Sequence, residues 1–235
     1  MVNEIYSGLL NSSEDRIVFQ LIKYVREHGY KEGDKLPSIR SFSEIFGISQ
    51  SQTRSGVMKA AALGVVRMVP RSGIFLESFS FTHLVNTFSL LFEAMYINKQ
   101  PPLIDLYDLK TTLDRGIAKR VARVRTIEEL IELKQILDEM NSLKEKEEMV
   151  EADELFHNKL AAISRNQLFH SLIVIIQRML HGSRMQYDDY VESYPQIIKD
   201  HQSLFEAIKN QDEEKSALLA EKHSNRRKVK LSQNL

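Results

Sequence analysis

Apolar residues recur along this chain with a helical period almost everywhere and with a strand period in one short region. Between Ser12 and His28, Ile17, Leu21, Ile22 and Val25 fall on one helical face, with Ser12/Ser13 to cap the start and Gly29 to close the end. Residues 36–76, LPSIRSFSEIFGISQSQTRSGVMKAAALGVVRMVPRSGIFL, break into shorter pieces. Ser38 predicts the N-cap of a helix to about Phe46, ended by a left-handed Gly47, and Ser49 predicts the cap of a second helix that stops at Gly64. Val65–Val69 and Ile74–Glu77 are β-prone runs joined by the turn sequence Pro70-Arg71-Ser72-Gly73. In the second helix the core-facing positions hold only small residues: Thr53, Gly56, Val57 and Ala60. A helical Gly costs about 1 kcal/mol relative to Ala, so Gly56 implies a close approach by the preceding helix. Met58, Ala61, Ala62 and Leu63 make the rest of this helix apolar nearly all round, which is read either as packing against the body of the protein or a second subunit or as chance hydrophobes near the wing.

Beyond residue 80 strand alternation is missing. Helices are predicted over 81–98, 103–124, 127–146, 147–164, 167–182, 195–209 and 213–231. Pro101-Pro102, a Thr126/Glu129 capping box, Asn166, Gly182, Pro195 and Asn210 punctuate them. The fold class is therefore mainly α. A helix-turn-helix with a β-wing spans residues 1–77, and an all-α antiparallel bundle of six or seven helices spans 78–235, with a short joint at Glu77-Ser78-Phe79-Ser80.

Composition narrows the class. The 235 residues are 43% hydrophobic and 27% charged with no cysteine, so disulfides are excluded and any metal must be held by His and carboxylates. The N-terminal residues lack the pattern of a secretory signal, and Leu172–Ile176, the longest apolar run, is far too short to span a membrane. A cytoplasmic protein is expected. The formal charge is zero, yet residues 35–76 carry six Lys/Arg against the single acid Glu44. This basic island coincides with the helix, turn, helix and wing, the layout of a winged DNA-binding unit whose second helix enters the major groove. The candidate DNA-facing residues are Ser38 and Arg40, then Ser49, Gln50, Gln52, Thr53 and Arg54 of the second helix, and Arg71, Ser72 and Gly73 at the wing tip. Gln suits adenine, Arg suits guanine or phosphate, and Ser38 at a helix N-terminus suits an anion. The basic C-terminal run Arg226-Arg227-Lys228 with Lys230 complements a helix dipole.

In the helical half, Asp153 and His157 are four apart and share a helical face; His201 and His223 lie on two later helices. One carboxylate and three imidazoles from three helices can converge on Zn²⁺, Ni²⁺ or Mn²⁺ with a position left for water or ligand. The same spacing is met by surface or core histidines that bind nothing.

Two resemblances extend this reading. Gly33-Asp34-Lys35-Leu36-Pro37-Ser38-x-Arg40, Phe46-Gly47-Ile48-Ser49, Arg54, Gly64-Val65-Val66 and Ser72-Gly73-Ile74-Phe75 resemble the N-terminal domain of the GntR superfamily of bacterial transcription regulators, with Gln50 where members usually have Arg. Asp153-x-x-Phe156-His157, Ile163-Ser164-x-Asn166, His201 with Ala207-Ile208, Asp212 and His223 resemble the FCD ligand-binding domain of the FadR-type branch. The resemblance implies that Asp153, His157, His201 and His223 are metal ligands, and that a small organic or sugar acid binds beside them. It also makes Asn166 a candidate to bond the effector or a metal-bound water, and places Lys110, where the family often has Arg, toward the effector with Asp114 after it. A surface ion pair is the alternative for Lys110 and Asp114.

The expectation is a homodimeric, ligand-responsive repressor that binds double-stranded operator DNA and is not an enzyme. Its alternatives are a metal-dependent hydrolase built on the Asp/three-His set, and a regulator whose metal is purely structural or is itself the signal.

Overall fold

The computed structural model describes residues 12–77, 81–97, 99, 101–186 and 189–234. The N-terminal residues 1–11 and the expected joint at 78–80 lie outside them. The chain divides into two compact units, Met1–His83 and Leu84–Leu235.

In the first unit, α1 (Ser13–Glu27) is opened by a capping box in which Ser12 accepts from the Asp15 amide and Asp15 accepts from that of Ser12. α2 (Ile39–Phe46) starts at Ser38 and ends at Gly47, whose φ of 66° is the left-handed value glycine adopts without a steric penalty. α3 (Gln50–Ala62) has its own capping box, Ser49 with Gln52. A three-stranded antiparallel sheet follows in the order β1-β3-β2, made of β1 (Lys35–Leu36), β2 (Val66–Val69) and β3 (Gly73–Leu76). Its wing is registered Val66 opposite Leu76 and Val69 opposite Gly73, and Leu36 of β1 faces Ile74. Two residues of β1 are too few to show alternation, which is why the sequence reads them as loop.

Val18, Leu21, Leu36, Phe42, Val57, Ala60, Val66 and Ile74 form this unit's core. Phe42, fully buried, packs edge-on to Tyr24 and stacks on Phe46; burial of a side chain this size contributes about 1.5–3 kcal/mol. Thr53, Gly56, Val57 and Ala60 are the buried positions of α3. The close approach at Gly56 comes from α1 rather than α2: a Cβ there would lie 2.3 Å from Ile17 Cγ2. Met58 and Leu63 are exposed.

α4 (Phe81–Met95) begins at the end of the first unit, and from Leu84 on the second unit is helical: α5 (Leu103–Val124), α6 (Ile127–Met140), α7 (Lys146–Ile163), α8 (Gln167–Gln186), α9 (Asp189–Lys209) and α10 (Glu213–Asn234) follow. α5 and α10 run antiparallel side by side, cross-linked by Arg115–Glu221, Lys119–Glu214 and Lys228–Asp108. Around them a single apolar core includes Ile117, Val121, Leu133, Leu137, Phe156, Leu160, Ile176, Leu180, Leu204 and Ile208.

Several boundaries depart from the sequence expectation. α6 stops at Met140, because the Asn141 side chain donates to the Leu137 carbonyl and Ser142 to that of Glu139. α8 runs through Gly182 and α9 through Pro195, each at the cost of a local penalty, because buried residues on both sides keep the helix seated: Leu180 and Arg184 in one case, Tyr194 and Ile197 in the other. α10 continues past the basic run, so Arg226 and Lys228 serve in ion pairs with Asp200 and Asp108 rather than at a helix end. Among the described residues no helix is long and apolar enough to cross a membrane.

Gly56→Ala is expected to destabilise the chain by about 1–3 kcal/mol despite its better helix propensity, because the new methyl overlaps Ile17. Denaturant unfolding followed by circular dichroism should show this loss, and Ile17→Ala in the same chain should recover part of it.

Candidate metal centre and nucleic-acid interface

The metal-ligating candidates sit on three helices that face one another. Asp153 and His157 project from α7 one turn apart, His201 from α9 and His223 from α10; one donor atom of each lies within 4.8 Å of all the others. His223 Nε2 is 3.2 Å from the Nε2 atoms of both His157 and His201. Asp153 Oδ1 is 3.4 Å from His201 Nε2, 3.8 Å from His157 Nε2 and 4.0 Å from His223 Nε2. Ligands around a tetrahedral ion with bonds of about 2.0–2.1 Å stand roughly 3.3 Å apart, so the donor set matches such an ion in chemistry and in spacing.

The outer ring nitrogens decide which way the lone pairs point. His157 Nδ1 faces Asp114 Oδ1 at 3.5 Å and His223 Nδ1 faces Asp200 Oδ2 at 3.7 Å. A carboxylate on the Nδ1 side favours the tautomer protonated there, which leaves the Nε2 lone pair for the cluster. His201 is braced by its face instead, its ring stacked on Phe156 with centroids 4.3 Å apart, and its Nδ1 is buried without a hydrogen-bond partner among the described residues. Burial, then the charge of Lys110, lowers the pKa of His157, and burial, then His223, takes that of His201 well below the usual imidazole value. Both rings are therefore neutral at neutral pH, the form that binds metal. Burial alone would raise the Asp153 carboxyl, but Arg184 and the three imidazoles outweigh it and hold the group ionised.

Lys110 and Asp114 are no surface pair. They are 2% and 4% exposed, joined at 2.5 Å, and Ser224 donates to Asp114 at 2.6 Å. Burial opposes the Asp114 charge, and Lys110 with His157 more than offsets it, so its pKa lies below the ordinary carboxylate range. A cavity of about 40 Å³ adjoins the cluster, bounded by Tyr107, Lys110, Asp153, Arg184, Ser193, Ile197, Asp200, His223, Ser224 and Arg226. Asn166, the other effector candidate, is not among these residues. Its Oδ1 accepts from the Leu168 and Phe169 amides and caps α8. Arg184, Asp200 and Arg226 had no motif to announce them. Arg184 nevertheless continues the stripe Ile173, Ile176, Leu180, as Lys110 and Asp114 continue Leu103, Leu106, Leu113 and Ile117. A charge on the buried stripe of an amphipathic helix was the signal available. Glu154, next to Asp153, is turned to His181 and Arg184, with its pKa raised by burial against their pull.

In the N-terminal unit the basic island divides. Lys59 pairs with Asp15, Arg67 with Glu77 while lying over the Phe75 ring, and Arg40 with Glu44. Lys35, Arg54 and Arg71 instead line a groove between the start of α2, α3 and the wing, together with Ser38, Ser72 and Gly73. Ser49, Gln50 and Gln52 are exposed beside it, but Gln52 Oε1 is engaged by the Ser49 amide and hydroxyl. Thr53 leaves the DNA-facing set: it is 0% exposed and its hydroxyl donates to the Ser49 carbonyl, one turn back along α3. Arg71 has the left-handed φ of 62° that the turn requires at the wing tip.

A winged helix-turn-helix joined to an all-α bundle is the architecture of a class of DNA-binding transcription regulators. A profile of the FCD domain matches residues 105–226, more than half of the chain. The chain belongs to the FCD-containing branch of the GntR family of transcription regulators. It is 27% identical over 184 residues to the HTH-type transcriptional regulator LutR of Bacillus subtilis, a match spanning 76% of this chain and 82% of LutR. It is 26% identical over 203 residues to the galactonate operon transcriptional repressor of Escherichia coli, covering 84% and 87% of the two chains. A solved GntR structure from Streptococcus agalactiae shares the fold with a TM-score of 0.64 at 20% identity, over 92% of this chain and 99% of that one. These relatives are transcription regulators rather than enzymes.

Asp114→Ala leaves Lys110 buried without its counter-charge and is expected to cost about 3–5 kcal/mol in metal-free protein. Replacing the pair together, Lys110→Met with Asp114→Leu, should recover most of that loss in the same unfolding measurement.

Proposed function

We propose that this regulator is a homodimeric repressor whose bundle holds one divalent ion, Zn²⁺, Ni²⁺ or Mn²⁺, on Asp153, His157, His201 and His223, and takes a small carboxylate effector in the adjoining cavity. The observation that carries the reading is the convergence of three inward-facing Nε2 atoms and one ionised carboxylate beside a cavity lined by Lys110, Arg184 and Arg226. Bound there, the ion would act as a Lewis acid toward a carboxylate oxygen. The ligand set offers a single carboxylate, so a divalent ion held by it would leave positive charge uncompensated and an anionic guest is favoured. One relative is named as a repressor of a galactonate operon, and galactonate is a sugar acid.

The N-terminal unit meets the operator with Gln50 and Arg54 of α3 at the base edges and with Ser38, Arg40, Ser49, Gln52, Arg71, Ser72 and Gly73 at backbone or minor groove. Two copies related by a two-fold axis read two half-sites. A cavity of about 40 Å³ holds a few waters. A sugar-sized acid therefore requires the helices around it to part, and its differential affinity for the wider arrangement is what can shift operator binding.

Arg54→Ala should weaken operator binding by about 1–3 kcal/mol while leaving one metal ion per chain. His201→Ala should lose the ion and the acid response while still binding the operator. Elemental analysis and DNA titration of both variants check this; an equal loss of DNA binding in the two would overturn the proposed division of labour.

A further inference from the structure

Between Leu84 and Tyr96 the only Asp, Glu, Lys or Arg is Glu93, and the apolar residues of α4 and its end fall on two neighbouring stripes. Val85, Phe92 and Tyr96, with Ser89 among them, form the first, at intervals of four, three and four. This stripe turns toward the chain's own bundle. Val85 is buried, Phe92 packs against the apolar core, and Ser89, Phe92 and Tyr96 border a groove with Arg178 and Met179 of α8. Beside it Arg178 NH1 donates to Asn86 Oδ1 at 2.6 Å.

Leu84, Phe88, Leu91 and Met95 form the second stripe, again at intervals of four, three and four, and they are 37%, 47%, 60% and 66% exposed. Their spacing is that of a coiled-coil seam. At about 100° per residue the four lie within an arc of roughly 60°, flanked by Thr87 and Ala94, with Glu93 on the opposite side. A 15-residue helix is marginal on its own in water, and among the described residues the chain covers one of its two stripes. With about 200 Å² for a side chain of this size, the second stripe leaves roughly 400 Å² uncovered per copy, close to the apolar share of an interface of about 800 Å² per partner.

The spacing itself selects the occupant. Four-three-four reads the same in both directions. A second copy laid antiparallel therefore sets Leu84 against Met95 and Phe88 against Leu91, and a two-fold axis repeats both contacts. No like charges meet on the seam, and the positive N-terminal end of each helix lies beside the negative C-terminal end of the other.

We infer that the Leu84/Phe88/Leu91/Met95 face of α4 seats a second copy of this chain, paired antiparallel about a two-fold axis midway between Phe88 and Leu91. This rests on the homodimer of the proposed function and assigns its contact to the first helix after the wing.

The natural chain has no cysteine, so single-cysteine variants of the full-length protein report the pairing directly. Leu84→Cys and Met95→Cys proteins, mixed and oxidised, should form the mixed disulfide, identified by its mass. Leu84→Cys alone should not link, because its two copies would stand about 16 Å apart along the paired helices, beyond disulfide reach. Gln135→Cys, exposed on α6, is the control and should not link either. By sedimentation equilibrium, Leu91→Lys with Met95→Lys should raise the Kd of the dimer at least about 100-fold, since four like charges would then face one another. Its circular dichroism should match wild type, because Lys is a good helix former at exposed positions. If the lysine variant fails to fold, the cysteine pairs decide alone. A dimer that survives the two lysines, no disulfide in the mixture, or one formed by Leu84→Cys alone would overturn the seam and leave the homodimer reading standing. A wild type that is monomeric at about 100 μM would overturn both.

Discussion

Three imidazole Nε2 atoms and a carboxylate oxygen pointing at one another are a problem that something must solve. Lone pairs 3.2 Å apart repel unless a proton or a cation lies between them, and the outer nitrogens of His157 and His223 face the carboxylates of Asp114 and Asp200. Such a cluster persists only when the surrounding helices over-determine it. Here α7, α9 and α10 each supply donors and are fixed by the same core, in which Phe156 both packs against its neighbours and stacks on His201.

The rest of the bundle can be understood as the support for that convergence. Lys110, Asp114 and Ser224 join α5 to α10 inside the core, where a pair of apolar residues would pack at no electrostatic cost. Buried ion pairs add little stability, so their presence is better explained by what they aim than by what they hold together. Asp200 with Arg226 plays the same part for His223, and Arg184 ties Asp153 to Glu154. A small cavity sits where these pairs meet, and any guest that enters it acts on several helices at once. The DNA-facing unit is simpler. Its core is small and regular, and its groove keeps three of the six island cations while the others are spent on Asp15, Glu44 and Glu77.

Much of this was legible in the sequence, for identifiable reasons. Caps at Ser12, Ser38, Ser49 and Thr126 lie next to strongly periodic helices, so their starts were readable. Thr53, Gly56, Val57 and Ala60 were readable as a buried face because a single helix period predicts it. Boundaries failed where tertiary burial overrides a local breaker, at Gly182 and Pro195, or where side chains take the last carbonyls, at Asn141 and Ser142. In the site, the Asp153/His157 spacing was visible because both stand on one helix; Arg184 was not, because its partners are contributed by a different helix and its neighbours in sequence carry no motif. Lys110 and Asp114 look like a solvated i,i+4 pair in sequence, and only their phase relative to Leu106, Leu113 and Ile117 places them inside.

The proposed ion-binding role of the cluster is most directly tested by ¹⁵N NMR of the histidine side chains during titration of chelated protein with Zn²⁺. One equivalent per chain should shift the Nε2 resonances of His157, His201 and His223 together while their Nδ1 atoms remain protonated, with no further change at higher zinc. A cluster that takes up no zinc, or one that binds it through Nδ1 or through fewer than three of these rings, would contradict the account.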